Sequence, residues 1–332
     1  DAMSGTIAPQ PMAYFGKLPA RGDFVRGLYN PQLVKALDAW ASGAMELLAE
    51  DPRWKAIYDA SAPLHFVCLG SRSRLAIAGH LRASHDASSR RYPFMVAAPV
   101  EVAAPIDFMA GAPLLLDPSW QRAGSAANAL AAGAEIEDAL KDLEDTPAGI
   151  TPGFKGAPQA DAYASFVQDY SLLRLEQMLG FDGHKVSLRR LVLGLGLLLQ
   201  PVMTSAVSHL EKGLTLPLPR AAHQQGLVAA FWLELVSRFL RKADFELVLL
   251  ITEIEGKPRL VIGFGGLSPR SLQSVIHPQA YLAQNIEIDN PAWVEESIHS
   301  DYAMYKLVSY LDQPQLPLSI VLGTFREVFI GD

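Results

Sequence analysis

Two charged clusters hold the residues best suited to chemistry in this chain. The first is Lys17, Arg21 and Asp23, inside Gly16-Lys-Leu-Pro-Ala-Arg-Gly-Asp-Phe24. The second is Asp86, Arg90 and Arg91, inside Ser84-His-Asp-Ala-Ser-Ser-Arg-Arg-Tyr-Pro93. A carboxylate beside a guanidinium makes strong, often bidentate, charge-assisted hydrogen bonds, so Asp23 and Asp86 can pair with Arg21, Arg90 or Arg91 and fix the two loops. Arginines left over from such pairing would line a site for a carboxylate or phosphate group, which a planar guanidinium matches. Pairing within the fold is the plainer of the two readings.

Other catalytic patterns are missing or better explained otherwise. Gly263-Phe-Gly-Gly266 follows a strand-like run but lacks the Gly-Lys-Ser/Thr ending that holds phosphate and magnesium. Gly194-Leu-Gly196 sits in an apolar helical run, where close helix packing accounts for it. There is no Gly-x-Ser-x-Gly elbow and no His-Glu-x-x-His helix. His80, His85 and Asp86 are spaced to place ligands together, but coordination needs three convergent groups, and hydrogen-bonded or solvent-facing histidines are the simpler reading. The acidic stretch Glu287 to Glu296 reads as a helix start, with Asn290 as cap and Glu295 and Glu296 at its positive end. Cys68, the single cysteine, lies in an apolar run and reads as a buried thiol. No metal, cofactor or catalytic set is expected, and the chain reads as non-enzymatic.

The elements that must position these clusters follow from patterning. The chain has 332 residues, half of them apolar, 19% charged, with a net charge of −7. It can bury a large core, and its length favours two domains. An acidic balance argues against a sequence-independent nucleic-acid binder. Leu191–Leu199 is the most membrane-like run, interrupted by Gln200-Pro201 well short of the roughly 20 residues a spanning helix needs. Residues 1–11 read as a tail without the basic-then-apolar pattern of a secretory signal.

Met12–Phe15 reads as a strand, and Asn30-Pro31 opens a helix whose apolar residues run from Leu33 to Leu48 at helical spacing. Strands are expected at Leu64–Leu69, Arg74–Leu81 and Tyr92–Val100. In the middle one, Leu75, Ile77 and Leu81 share a parity opposite to Arg72, Arg74, His80 and Arg82, whose face is either basic or covered by the next layer. A helix is expected from Asp117-Pro118 to about Asp145. Residues 146–158 hold three prolines and three glycines and read as a linker. Helices are expected at about 160–179, 186–207 and 224–241. Beyond these, Phe245–Thr252 and Arg259–Phe264 form a hairpin through Glu255-Gly-Lys257, Ser268-Pro269 and Asn290-Pro291 start helices, and two apolar helices end the chain. The expected domains are 12–145 and 159–332.

The two clusters resemble the signatures of the TagF (ImpM) family, which is associated with type VI secretion systems. Phe15-Gly-Lys-Leu-Pro-Ala-Arg-Gly-Asp-Phe24 is similar to its N-terminal motif, and Ser84-His-Asp86 with Arg90-Arg-Tyr-Pro93 to its second, Ser-x-Asp-x-x-Gly-Arg-x-Tyr/Phe-Pro. Ser89 stands where many members have glycine. The resemblance is clearest over about 12–125. It implies an α/β fold: a mixed sheet covered by helices, as a three-layer α/β/α sandwich, in the N-terminal domain, with a second α+β lobe.

The resemblance further implies a cytoplasmic, post-translational negative regulator that binds the FHA-domain scaffold protein of its secretion system. Some relatives are fused to a PppA-type phosphatase. It supplies no catalytic residues. Lys17, Arg21, Asp23, Asp86, Arg90 and Arg91 are the expected binding residues or their supports. The alternative is a phosphate- or nucleotide-binding enzyme that uses the same loops.

Overall fold

Near-continuous apolar runs of seven to nine residues give the strands at the centre of the molecule, because successive side chains point to opposite faces and such runs bury both sides of a sheet. The computed structural model describes residues 11–205 and 210–331; residues 1–10, most of the expected tail, lie outside it. The strands are β1 (Ala13–Gly16), β2 (Val25–Arg26), β3 (Leu64–Gly70), β4 (Leu75–Arg82), β5 (Phe94–Glu101), β6 (Gly213–Pro217), β7 (Glu246–Ile254), β8 (Lys257–Gly263) and β9 (Asn285–Glu287). Among the described residues they form one sheet in the order β2-β1-β5-β4-β3-β7-β8-β6-β9. Every pairing is antiparallel except that of β6 with β9.

Helices cover both faces. On one lie α1 (Pro31–Leu48), the short α2 (Trp54–Asp59) near its end, and, further along the chain, a helix at Pro269–Ile276. Leu33, Val34, Leu37 and Trp40 of α1 pack there on Phe15, Phe66, Leu81, Val248, Leu250 and Val261. The opposite face is covered by α3 (Pro105–Ala131), α4 (Ile136–Asp145), α5 (Pro158–Asp169), α6 (Leu172–Leu179), α7 (Leu188–Thr204) and α8 (Ala222–Ser237). The order then runs α9 (Pro269–Ile276, just described), α10 (Pro278–Gln284), α11 (Val294–Ile298), α12 (Tyr302–Leu311) and α13 (Leu318–Phe329). Val248 and Leu250 face α1 and α9, whereas Leu247 and Leu249 enter the larger core under α3 and α8. The architecture is α/β with a helix–sheet–helix layering.

Residues 146–157 contain no helix and only one bridge, Pro147 with Pro11, as proline and glycine content dictates. The sheet nevertheless passes from the first half of the chain to the second, because β3 pairs with β7 from His65–Ile251 to Gly70–Glu246. The β7–β8 hairpin turns through Glu255 and Gly256, both at positive φ (53° and 75°), which is the backbone a two-residue hairpin loop requires.

Two expectations change and two are refined. The helix expected from Asp117 begins at Pro105 and carries Pro113 and Pro118 inside it. Burial of Phe108, Met109, Leu115, Leu116 and Trp120 outweighs the local penalty of proline. Asn290 does not cap a helix: α11 starts at Val294, and the Asn290 amide oxygen accepts from Arg190 Nη1 at 3.1 Å. Glu295 is held by Arg189 and Arg190 rather than by a helix end alone. On β4, Leu75 is 57% exposed while His80 is buried, so the His80 face meets α3 and does not form a basic surface there.

Candidate functional site

The site is built by two loops that meet at one end of the sheet. The first connects β1 to β2, and the second connects β4 to β5. Ser84 fastens the second loop to its surroundings: its hydroxyl donates to Lys17 O (2.7 Å) and its amide donates to Tyr58 Oη (2.9 Å). Tyr58, buried on α2, returns a bond from its hydroxyl to Ser84 O at 3.0 Å. Burial raises its phenol pKa above the ordinary value, so the group stays a neutral donor.

Asp86 is the centre of the arrangement and is fully buried. Oδ1 accepts the backbone amides of Ser88 (2.9 Å) and Arg90 (3.0 Å), while Oδ2 accepts Arg90 Nε (2.7 Å) and lies 3.3 Å from Lys17 Nζ. Burial pushes its pKa up, but the amides, Lys17 and Arg90 outweigh that and bring it down to about 2. Arg90 then reaches back across the gap, donating from Nη2 to Gly22 O at 2.8 Å, and Ala87 N donates to Arg21 O at 2.7 Å. One carboxylate therefore ties both loops together. The turn that lets it do so needs Ser89 at φ 62°, a left-handed backbone that glycine adopts more easily.

An aromatic stack flanks this knot. Phe24 lies parallel on Phe15, with ring centroids 5.3 Å apart, and Tyr92 meets Phe24 edge-on at 4.9 Å. Lys17 Nζ sits 5.1 Å from the Phe24 centroid, and Arg26 stands over Phe15 at 5.3 Å. The Tyr92 hydroxyl donates to Asp38 Oδ1 on α1 at 2.8 Å. Phe24 remains 44% exposed, and Leu28 and Tyr29 follow it on the surface.

Of the six residues singled out by sequence, Lys17, Asp86 and Arg90 converge in the knot. Arg91 turns away and makes a bidentate pair with Asp59 of α2, at 2.7 and 2.6 Å. That pairing lowers the Asp59 pKa. Arg21 reaches Glu137 of α4 at 3.4 Å. Asp23 accepts the Phe24 amide at 2.8 Å and forms no ion pair among the described residues. Sequence reasoning missed Tyr58 and Asp59, which come from a six-residue helix whose spacing gives no hint that it touches the second loop.

Two other candidates resolve differently. His80 and His85 part company: His85 Nδ1 contacts Asp86 O, whereas His80 Nδ1 lies 3.0 Å from His65 Nδ1 beneath Trp120. Among the described residues no group of three or more His, Cys, Asp or Glu side chains is placed to hold a metal ion. Cys68 is raised to about 11 by burial and by Glu246, which disfavours the thiolate a nucleophile needs.

Residues 13–145 match the family model of the TagF N-terminal domain, described as type VI secretion system-associated. Over these residues the chain is similar to a TagF N-terminal domain. The match spans β1 to α4 and includes both loops of the knot, so the resemblance carried by Phe15–Phe24 and Ser84–Pro93 holds across that domain. The crystal structure of PA0076 from Pseudomonas aeruginosa PAO1 is 25% identical over 42% of this chain and 64% of that one, with a TM-score of 0.37. No curated protein matches the chain.

Proposed function

We propose that this chain is a non-enzymatic, cytoplasmic negative regulator of a type VI secretion system that acts after translation by binding the FHA-domain scaffold protein. The observation that carries the reading is the match to the TagF N-terminal domain, whose two signature loops are the two loops locked by Asp86. Lys17 and Arg90 already serve an internal carboxylate, so an incoming phosphate would have to displace Asp86. The loops therefore fit a fixed surface for contact better than an anion-binding catalytic site, the alternative reading. Among the described residues no helix is long and apolar enough to cross a membrane, which is compatible with this proposal.

Regulation would follow mass action: scaffold bound to this chain leaves the assembly-competent pool, and output depends on the ratio of the two proteins. A PppA-type phosphatase, fused to some relatives, would belong to the same pathway. Titration of the purified chain with the purified scaffold tests the proposal. Saturable binding, with secretion falling as the chain is overproduced in its host, is expected. No binding at micromolar concentrations would overturn it.

A further inference from the structure

Away from the knot, in the β7–β8–β6 half of the sheet, a cleft of about 270 Å³ opens between α9 and the strands. Its floor is apolar: Val248 and Leu250 of β7, Val261 of β8 and, past the end of β8, Phe264. Gly263 shares the face of Val261, since side chains two residues apart on a strand point the same way. A Cβ there would meet Val248 Cγ1 at 2.9 Å and Ser271 Cβ at 3.8 Å, reaching from floor to wall, so the glycine keeps this corner open. Gly263-Phe-Gly-Gly266, the glycine-rich turn without a phosphate signature, thereby closes one end of the cleft. Ser268, Arg270, Ser271 and Ser274 of the α9 segment form the opposite wall.

Most polar atoms of the lining are already engaged. Ser271 donates its hydroxyl to Ser268 O (2.6 Å) and accepts Trp40 Nε1 of α1 (3.1 Å), and Ser274 donates to Ser271 O (2.8 Å). Ser268 Oγ accepts the Ser271 amide at 3.3 Å as the helix cap. At the junction of α10 and β9, Gln284 Nε2 donates to Gln273 Oε1 (3.2 Å) and Asn285 Nδ2 to Tyr281 O (3.3 Å). Little is left to pair with a sugar or a nucleobase, whose buried polar groups would go unsatisfied. What remains is apolar surface and two charges at the mouth, Arg270 on α9 and Glu211 ahead of β6. Arg270 is exposed and forms no ion pair among the described residues, unlike Arg259 and His277 on either side of it in sequence.

We propose that this cleft binds a short aliphatic carboxylate, with its chain on Val248, Leu250, Val261 and Phe264 and its carboxylate on Arg270. Drug-sized ligands fill about 300–1,000 Å³, so a cleft just below that range takes a molecule of about ten heavy atoms. Burial of the chain supplies the attraction, and the guanidinium selects the head group. One arginine with Glu211 nearby suits a monoanion; the second charge of a phosphate would meet no second cation among the lining residues. The inference goes beyond the secretion reading and stands without it, because the strands of the floor lie outside residues 13–145.

The test titrates the full, nitrogen-15-labelled chain with octanoate and follows the tryptophan indole resonances. Trp40 is bonded to the cleft wall, whereas Trp120 and Trp232 donate to Phe66 O and Pro217 O. Octanoate should shift the Trp40 signal saturably and leave those of Trp120 and Trp232 in place. Acetate, which lacks the chain, and octanol, which lacks the charge, should each bind about tenfold more weakly or worse. Arg270→Ala should weaken octanoate about tenfold and leave octanol unchanged, a pattern that misfolding does not produce. Ser274→Leu puts bulk into the cleft and should abolish the shift. Should that variant fail to fold, Arg270→Ala, at an exposed position, still decides the matter. No saturable Trp40 shift at millimolar octanoate, equal binding of octanol, preference for octyl phosphate, or octanoate binding indifferent to Arg270→Ala would each overturn the proposal.

Discussion

The Asp86 knot in the first half and the Arg259 cluster in the second solve opposite problems. Asp86 is a buried anion, and most of its partners are local: amides from Ser88 and Arg90, Arg90 Nε, and Lys17 from the neighbouring loop. Its cations keep their stems on the knot while Arg90 leaves much of its side chain in solvent. Arg259 is a buried cation on β8, 1% exposed, with Nη1 bonded to both oxygens of Asp289 at 2.7 and 2.6 Å. Glu287, 3.5 Å from Nη2, accepts the Tyr281 hydroxyl at 2.6 Å, and His184 Nε2 meets Asp289 at 2.7 Å. A backbone offers many amide donors within one turn, so a buried carboxylate can be satisfied by its own loop. A buried guanidinium needs acceptors, here carboxylates from a segment 30 residues on. The first device shapes a loop; the second fastens β9 and the segment after it to the sheet.

The largest effect is expected at Arg259. Replacing it with Met leaves Asp289 buried without its cation, and urea unfolding should show a loss of about 3–5 kcal/mol. The double variant Arg259→Met, Asp289→Leu should lose less than Arg259→Met alone. Equal losses would mean that the pair is not acting as a unit.

Acid sharpens the contrast, because a buried histidine pair lies in the first half. Burial holds His65 at about 4 and His80 at about 3. The unfolded chain takes up these protons at about 6.5, so the pair's contribution is complete above that pH and is lost as pH falls towards 4 and 3. The loss by pH 4 is on the order of a few kcal/mol. A His65→Phe, His80→Leu variant should flatten the urea midpoint across this range; an unchanged profile would contradict the buried neutral pair.

Asp86→Asn should lower the thermal midpoint by several degrees at neutral pH, since Lys17 and Arg90 lose their shared anion. Because the Asp86 pKa is depressed to about 2, its contribution is present above the ordinary carboxylate value and is lost as pH falls through 2. The difference between wild type and variant should therefore shrink below about pH 4. The smallest effect is a gain: Ser89→Gly relieves a left-handed backbone and should add up to about 1 kcal/mol in thermal unfolding. A loss there would show that the serine side chain contributes more than its backbone strain removes.

Much of the knot was legible because its interactions are local or carried by short motifs. Asp86 and Arg90 are four residues apart, and the hairpin at Glu255-Gly256 and the Ser268 cap are set by neighbouring residues. The early start of α3 was hidden by Pro113 and Pro118, whose local preference yields to packing under the sheet. The acidic stretch after residue 286 read as a helix start because its arginine partners, Arg189, Arg190 and Arg259, lie far away in sequence.

The chain by itself determined an α/β class, most strands and helices, and the loops that carry the TagF signatures, since periodicity and turn chemistry act over a few residues. Only the tertiary structure decided that β3 pairs with β7, that Arg91 belongs to Asp59 while Arg90 belongs to Asp86, and that Val248, Val261 and Arg270 line one cleft. Those choices are made by burial and by contacts between distant segments, and no spacing along the chain encodes which distant partner will arrive.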